Sequence, residues 1–222
     1  MLKYLFTQFI VICFLTSQGQ SYVHVRNEPR HHNVFENDFV RVLDVYLAPG
    51  DTTLYHLHET PSVFIILSNS NVGSRLLGKL PQKGANINGI VSYDTIAKPR
   101  IHQVWNEDTS WFHVMDVELT SKNNRNDIKL VSNASLKLLF NEQQVNGYST
   151  ELKAGDRLQL PASASGYLIV SKEQASVDYS LHKTDHHRLL KAGHYFWIEP
   201  GDEFSIKSNE SKAVSFVILQ LK

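Results

Sequence analysis

Cysteine is almost absent from this sequence, which has one cysteine, Cys13, in 222 residues. That residue lies inside an N-terminal apolar run, so a mature chain that begins after the run has none. A chain without cysteine has no disulfide bond and no thiolate nucleophile. Packed apolar cores must therefore stabilise the fold, and any chemistry must come from other side chains.

An excess of positive charge is also missing, since Lys plus Arg and Asp plus Glu both number 22. Proteins that bind nucleic acid carry clustered Lys and Arg and a net positive charge. The sequence therefore predicts no nucleic-acid partner. The 11 histidines are the one unusual feature of the composition.

The N-terminus has the organisation of a secretory signal peptide. Lys3 precedes an apolar run, Tyr4 to Leu15, that is too short to span a bilayer comfortably. Ser17 and Gly19 provide small residues for cleavage before Gln20. A lipoprotein signal at Cys13 fits less well, because no small residue precedes it. We expect residues 1–19 to be removed, and the mature protein to be periplasmic or extracellular with no transmembrane span.

Helical periodicity is nearly absent from the remaining chain, whereas short apolar or alternating runs recur between turn residues. This pattern predicts an all-β fold. The predicted strands are Val40 to Leu47, Thr53 to His58, Val63 to Ser68, Val91 to Ile96, His102 to Trp105, Phe112 to Leu119, Leu136 to Phe140, Tyr148 to Leu152, Arg157 to Leu160, Tyr167 to Val170, Val177 to Leu181, His194 to Ile198, Phe204 to Ile206 and Val214 to Leu221.

The chain divides into two similar halves. Thr120 to Asp127 is a polar run with the composition of a linker. The segment Leu47 to Asp51 matches Leu152 to Asp156, and each is followed by a short strand, a turn and an apolar strand. We therefore predict an N-terminal domain over residues 20–122 and a duplicated C-terminal domain over residues 123–222.

Residues that can bind a metal are grouped in the first half. His56 and His58 stand two apart on one predicted strand and point to the same side of the sheet. His102 follows on a later strand. Three neutral imidazoles suit iron, manganese, copper, nickel or zinc, and they leave positions open for water or a substrate.

These residues resemble the motifs of the cupin superfamily. The segment from Gly50 to His58 is similar to the first cupin motif, and His102 to Asn106 is similar to the end of the second. The resemblance implies two tandem cupin barrels, each a jelly-roll or double-stranded β-helix. It also implies a divalent metal ion on His56, His58 and His102.

The motif glutamate of cupins is missing here. Ser62 and Val63 stand where it is expected, and Glu59 would point to the opposite face of the strand. Three neutral ligands would leave the metal its full charge, which favours an anionic, chelating substrate. In some cupin-like thiol dioxygenases a basic residue holds the substrate carboxylate, and Arg100 and Arg41 are the candidates for this role.

In the second half, Pro161 to Ser163 replaces the two motif histidines, and Glu203 or Ser205 replaces the third. We therefore expect a degenerate, metal-free barrel. His31 and His32 follow Pro29 in a polar run and are interpreted as an exposed N-terminal stretch.

Two functions remain open for the sequence. The first is a metal-dependent, dioxygenase-like enzyme that acts on a small chelating organic molecule. The alternative is a non-catalytic cupin that binds a small ligand or carbohydrate. Because exposed edge strands are usually covered in proteins, we also expect a homodimer.

Overall fold

The computed structural model of the protein describes residues 21–122 and 127–222. Its regular structure consists of β-strands and one 3-10 turn, Val25–Asn27. Across these two ranges, no helix has the length and apolar character needed to cross a bilayer. The predicted signal peptide, residues 1–19, lies outside the described residues.

Strands of the first half form two five-stranded sheets. In chain order they are β1 (Val23–His24), β2 (His31–Glu36), β3 (Val40–Leu47), β4 (His56–His58), β5 (Ser62–Ile66), β6 (Ser70–Leu76), β7 (Gln82–Asn86), β8 (Val91–Asp94), β9 (Arg100–Asn106) and β10 (Phe112–Leu119). The sheet orders are β1-β4-β9-β6-β7 and β2-β3-β10-β5-β8. The two sheets enclose the first barrel.

Strands of the second half form a five-stranded and a four-stranded sheet. They are β11 (Lys137–Asn141), β12 (Val145–Leu152), β13 (Arg157–Leu160), β14 (Tyr167–Ser171), β15 (Ala175–Leu181), β16 (Thr184–Leu190), β17 (Tyr195–Ile198), β18 (Phe204–Ser208) and β19 (Val214–Leu221). The sheet orders are β11-β12-β19-β14-β17 and β13-β18-β15-β16. The predicted all-β fold with tandem jelly-roll barrels is confirmed.

Most predicted strands are present with small shifts at their ends, and four match the observed bounds: β3, β10, β13 and β19. Five strands were missed by the sequence pattern: β1, β2, β6, β7 and β16. They are short, or they are polar strands such as the exposed β7 at a sheet edge. An edge strand with little apolar side chain to bury has no alternation to detect.

The two barrels pack against each other through a buried apolar layer. Every residue of β10 is buried, because one face of the strand points into its own barrel and the other meets the second barrel. Met115 and Val117 pack in one cluster with Leu168 and Leu219. This contact joins the sheet that contains β3, β5 and β10 to the sheet that contains β12, β14 and β19.

The interiors of the two barrels differ. The second is filled by apolar side chains, and its largest fully buried residues include Tyr148, Tyr167, Phe204 and Phe216. The first barrel contains a polar cluster and a cavity. The first barrel therefore contains the candidate functional site.

Candidate metal centre

Three predicted ligands lie together inside the first barrel. His56 and His58 are 1% and 2% exposed on β4, and antiparallel pairing with β9 places His102 directly opposite His56. The centroid of the His102 ring is 4.5 Å from that of His56 and 4.9 Å from that of His58. The His56 and His58 centroids are 5.0 Å apart. Strand periodicity and sheet register thus bring the three rings into one cluster.

A fourth histidine, His31, belongs to the same cluster, and the prediction that it is exposed is wrong. His31 begins β2, is buried, and has its ring centroid 4.7 Å from that of His56. Potential ligand atoms of His31, His56 and His58 all lie within 4.8 Å of one another. The adjacent His32 is exposed, as expected. Alternation along a strand could have indicated this burial. Neighbouring residues on a strand face opposite sides, so an exposed His32 implies that His31 faces the interior.

Oxygen atoms lie near the Nδ1 atoms of three of these rings. His31 Nδ1 lies 2.8 Å from Glu28 Oε2, and His56 Nδ1 donates to the Leu54 carbonyl oxygen at 2.9 Å. His58 Nδ1 faces Asp116 Oδ2 at the longer distance of 3.6 Å. A neutral imidazole that donates from Nδ1 keeps the Nε2 lone pair free, which is the usual arrangement of a metal-binding histidine. His102 Nε2 is buried without a hydrogen-bond partner among the described residues.

Burial keeps the predicted ligands neutral. Desolvation lowers the pKa of His56 to about 4, with a further contribution from His31. It also lowers the pKa values of His58 and His102 well below the ordinary range, and neighbouring histidines reinforce the effect. Metal ions bind the neutral form of imidazole. His56, His58 and His102 therefore present unprotonated ring nitrogens at neutral pH.

Asp116 is a buried acid that the sequence analysis missed. It lies on β10, is 1% exposed and lines the cavity beside His58. Neither oxygen makes a hydrogen bond of ordinary length and angle with the described residues. Burial, reinforced by Glu118, raises the pKa of Asp116 to about 8, and contacts with Ser62 and Arg100 only partly offset this. A buried polar group without a partner is costly, so Asp116 is a candidate for a functional role.

The cavity of about 1080 Å³ is polar at one end and apolar at the other. Along β9, Arg100 and His102 are followed by Val104, and along β10, Asp116 is preceded by Val114 and Phe112. The strands β3 and β5 pair with β10 and place further apolar side chains beside Phe112 and Val114. Those that line the cavity are Val45, Leu47 and Ile66. A ligand with a polar head and an apolar body matches this gradient.

Solvent reaches the cavity between two edge strands. Its exposed lining residues are Leu76 at the end of β6, residues 79–85, in and before β7, and Ser92 of β8. Each of the strands β7 and β8 ends one sheet of the first barrel. Two lysines, Lys79 and Lys83, border the opening, and Lys83 pairs with Glu107 at 3.0 Å. The site is therefore accessible to a small molecule.

The two arginines proposed to hold a carboxylate have different positions. Arg100 lines the cavity, opposite His58, and its Nη1 donates to Asp94 Oδ2 at 2.7 Å. Arg41 pairs with Glu118 and Glu36 and does not line this cavity, so its candidacy is wrong. Its guanidinium is already occupied by two carboxylates.

Glu59, which the sequence analysis rejected as a ligand, lies at the surface. Its Oε1 is 3.1 Å from His24 Nδ1, and both side chains are half exposed. In the second barrel, residues 161–163 form a loop after β13 instead of a strand with inward-facing ligands. The one group of at least three potential metal ligands within the described ranges is His31, His56 and His58.

Comparisons with known proteins identify the fold. No protein-family model matches the sequence, and no curated protein matches it at a significant level. Similar solved structures include AerE from Microcystis aeruginosa, with a TM-score of 0.58, 6% identity, and coverage of 88% of this chain and 98% of that chain. The cupin 2 conserved barrel domain protein from Leptotrichia buccalis has a TM-score of 0.55 and 12% identity, and the match covers 85% of this chain and 86% of that chain.

A third similar structure is the salicylate 1,2-dioxygenase from Pseudoaminobacter salicylatoxidans, crystallised as adducts with gentisate. Its TM-score is 0.59 at 8% identity, and the match covers 84% of this chain and 70% of that chain. At such identities the likeness concerns the fold alone. The chain therefore has the cupin fold, and its function must be argued from the site.

Proposed function

We propose that the first barrel is a metal-binding cupin domain with dioxygenase-like activity toward a chelating organic molecule. The observation that carries this proposal is the cluster of buried imidazoles at the polar end of an accessible cavity. His56, His58 and His102 are the proposed ligands. Potential ligand atoms of His31, His56 and His58 lie within 4.8 Å of one another, and the His102 ring centroid lies 4.5 Å from that of His56 and 4.9 Å from that of His58. Iron, manganese, copper, nickel and zinc all accept such ligands.

A divalent ion in this position would act as a Lewis acid and template for a chelated substrate. The protein supplies the remaining requirements. Leu54 and Glu28 fix the rings of His56 and His31, and the apolar walls exclude water from the body of the substrate. Arg100 lies where its charge can attract an anionic head group. In the proposed reaction O2 is the co-substrate, and both of its oxygen atoms enter the product.

Metal analysis of the purified mature protein tests the centre. We expect about one equivalent of metal per chain in the wild type and little in the His56→Ala, His58→Ala double variant. His187→Ala is the matched control, because it removes an exposed histidine of β16 in the second barrel. Equal, negligible metal in the wild type and the double variant would end the proposal.

Oxygen consumption tests the chemistry once metal has been demonstrated. The metal-loaded protein is supplied with a panel of chelating aromatic and aliphatic acids, and uptake should depend on His56 and His58. Binding of a ligand without oxygen uptake across the panel would favour the alternative, a non-catalytic cupin that holds a small ligand or carbohydrate.

We also propose export, a metal-free second barrel and a homodimer. Apolar packing inside the second barrel supports a structural role for it. N-terminal sequencing of protein from the periplasm or medium should give a start near Gln20, and light scattering should give twice the chain mass. An uncleaved chain retained in the cytoplasm, or a monomer at micromolar concentration, would contradict the respective proposal.

A further inference from the structure

His31 reaches the metal cluster from a segment that precedes the two cupin motifs. It is the first residue of β2, and the pairing of β2 with β3 sets its ring beside His56. Its ring centroid is 6.4 Å from that of His58, and its exposed fraction is 9%. A histidine in this position can share an ion with the motif histidines.

The carboxylate of Glu28 fixes the position of the His31 ring. Its side chain is fully buried, and its oxygens accept hydrogen bonds from the Arg30 backbone NH at 2.7 Å, the Leu54 backbone NH at 3.0 Å and His31 Nδ1 at 2.8 Å. Arg30 Nη1 also lies 3.6 Å from Glu28 Oε1. A buried charge is costly unless it is paired or has a role, and here the carboxylate fixes one tautomer of His31.

The position of the missing motif glutamate offers no substitute. Ser62 is fully buried on β5, and its hydroxyl donates to the Thr60 carbonyl oxygen at 3.2 Å. A hydroxyl occupied in this way supplies no negative charge to an ion. Among the described residues, Glu28 is the carboxylate hydrogen-bonded to a ring of the cluster, one imidazole away from the ligand atoms, whereas Asp116 Oδ2 lies 3.6 Å from His58 Nδ1.

We infer that His31 replaces the motif glutamate, so that His31, His56, His58 and His102 form a four-imidazole metal centre. Glu28 is then a positioning residue that acts through His31: it orients the ring and compensates part of the charge of the ion. The inference rests on the proposed metal centre. It changes the ligand set from nitrogen and carboxylate to nitrogen alone.

Copper binding tests this inference, with Cu²⁺ as the probe on the full mature protein. Affinity is measured by competition with a chelator, and electron spin echo envelope modulation counts the imidazoles bound to the ion. His31→Gln keeps a donor for Glu28 and should remove one imidazole from the count. Glu28→Gln should keep the count, weaken affinity by about 10- to 100-fold, and alter the signal of one remote nitrogen.

Matched controls are available on the same elements. His32→Gln changes the exposed neighbour on β2, and Glu59→Gln changes the exposed carboxylate after His58. Both should bind Cu²⁺ within about twofold of the wild type. Urea denaturation of each metal-free variant shows whether it is folded. His31→Ala with added imidazole is a second test of the inference, since free imidazole should restore the affinity for Cu²⁺.

The outcomes separate the two proposals. If His56→Ala loses Cu²⁺ but His31→Gln keeps wild-type affinity and an unchanged imidazole count, the inference fails and the metal centre stands. If His56→Ala also binds like the wild type, there is no such centre and both proposals fail.

Discussion

Replacement of Asp116 by asparagine should make the metal-free protein more stable, by an amount that depends on pH. The pKa of this buried carboxyl is about 8 in the fold, against 3.8 for an ordinary aspartate. At pH 7 the unfolded chain has released the proton and the folded chain has not. One unit of pKa difference corresponds to about 1.4 kcal/mol, and pH 7 lies 3.2 units above the ordinary aspartate pKa of 3.8, so the cost to the fold is about 4 kcal/mol.

The sign follows from the raised pKa. Stability from protonated Asp116 is fully present below about pH 4 and is lost as the pH rises through the folded-state pKa near 8. Asparagine does not titrate, although its buried amide carries a constant cost. The free energy of unfolding of Asp116→Asn, relative to that of the wild type, should therefore increase by about 1.4 kcal/mol for each pH unit between pH 5 and pH 7.

Urea denaturation of both proteins at pH 5, 6 and 7, in the presence of chelator, measures this difference. Asp185→Asn, which removes an exposed aspartate of β16, is the control. Saturation with metal should reduce the pH dependence of this stability difference, because a nearby cation favours the ionised carboxylate. Parallel stability curves for wild type and Asp116→Asn would refute the reasoning.

Three further predictions concern the site and the fold. Because burial lowers the pKa values of the proposed ligands, that of His56 to about 4, Zn²⁺ affinity should hold from pH 8 down to about pH 5; a decline that begins near pH 6.5 would contradict this. For n-alkyl hydroxamates bound to the metal-loaded protein, affinity should rise about fourfold per methylene until the apolar end is filled. Val104→Thr should weaken the long members and spare acetohydroxamate, whereas affinity independent of chain length would exclude the apolar end as a binding surface. Met115→Ala should lower the free energy of unfolding by about 2–5 kcal/mol in urea denaturation, since Met115 is fully buried between the barrels. Its metal content should stay at the wild-type level, and metal loss would show that the barrel contact controls the site.

Features that depend on local pattern could be predicted from the residues alone. Alternating apolar residues predicted strands such as β3 and β10 with the observed bounds, because a strand buried on at least one face must place apolar side chains at regular intervals. The spacing of His56 and His58 placed both rings on one side of β4, and the motif order added His102. The pairing of His56 with His58 needed only the period of two along a strand, whereas the inclusion of His102 came from the resemblance to the cupin motifs.

The other groups of the cluster are brought to it by contacts between distant parts of the chain. His31 lies in a polar run whose composition indicates exposure, yet the pairing of β2 with β3 places its ring beside His56, and Glu28, three residues earlier, is buried with it. Asp116 lies on a strand buried on both faces, and only sheet pairing shows that its side chain points at His58 instead of the second barrel. Burial and partner identity depend on contacts between residues far apart in the chain, and the periodicity of a single strand does not encode them.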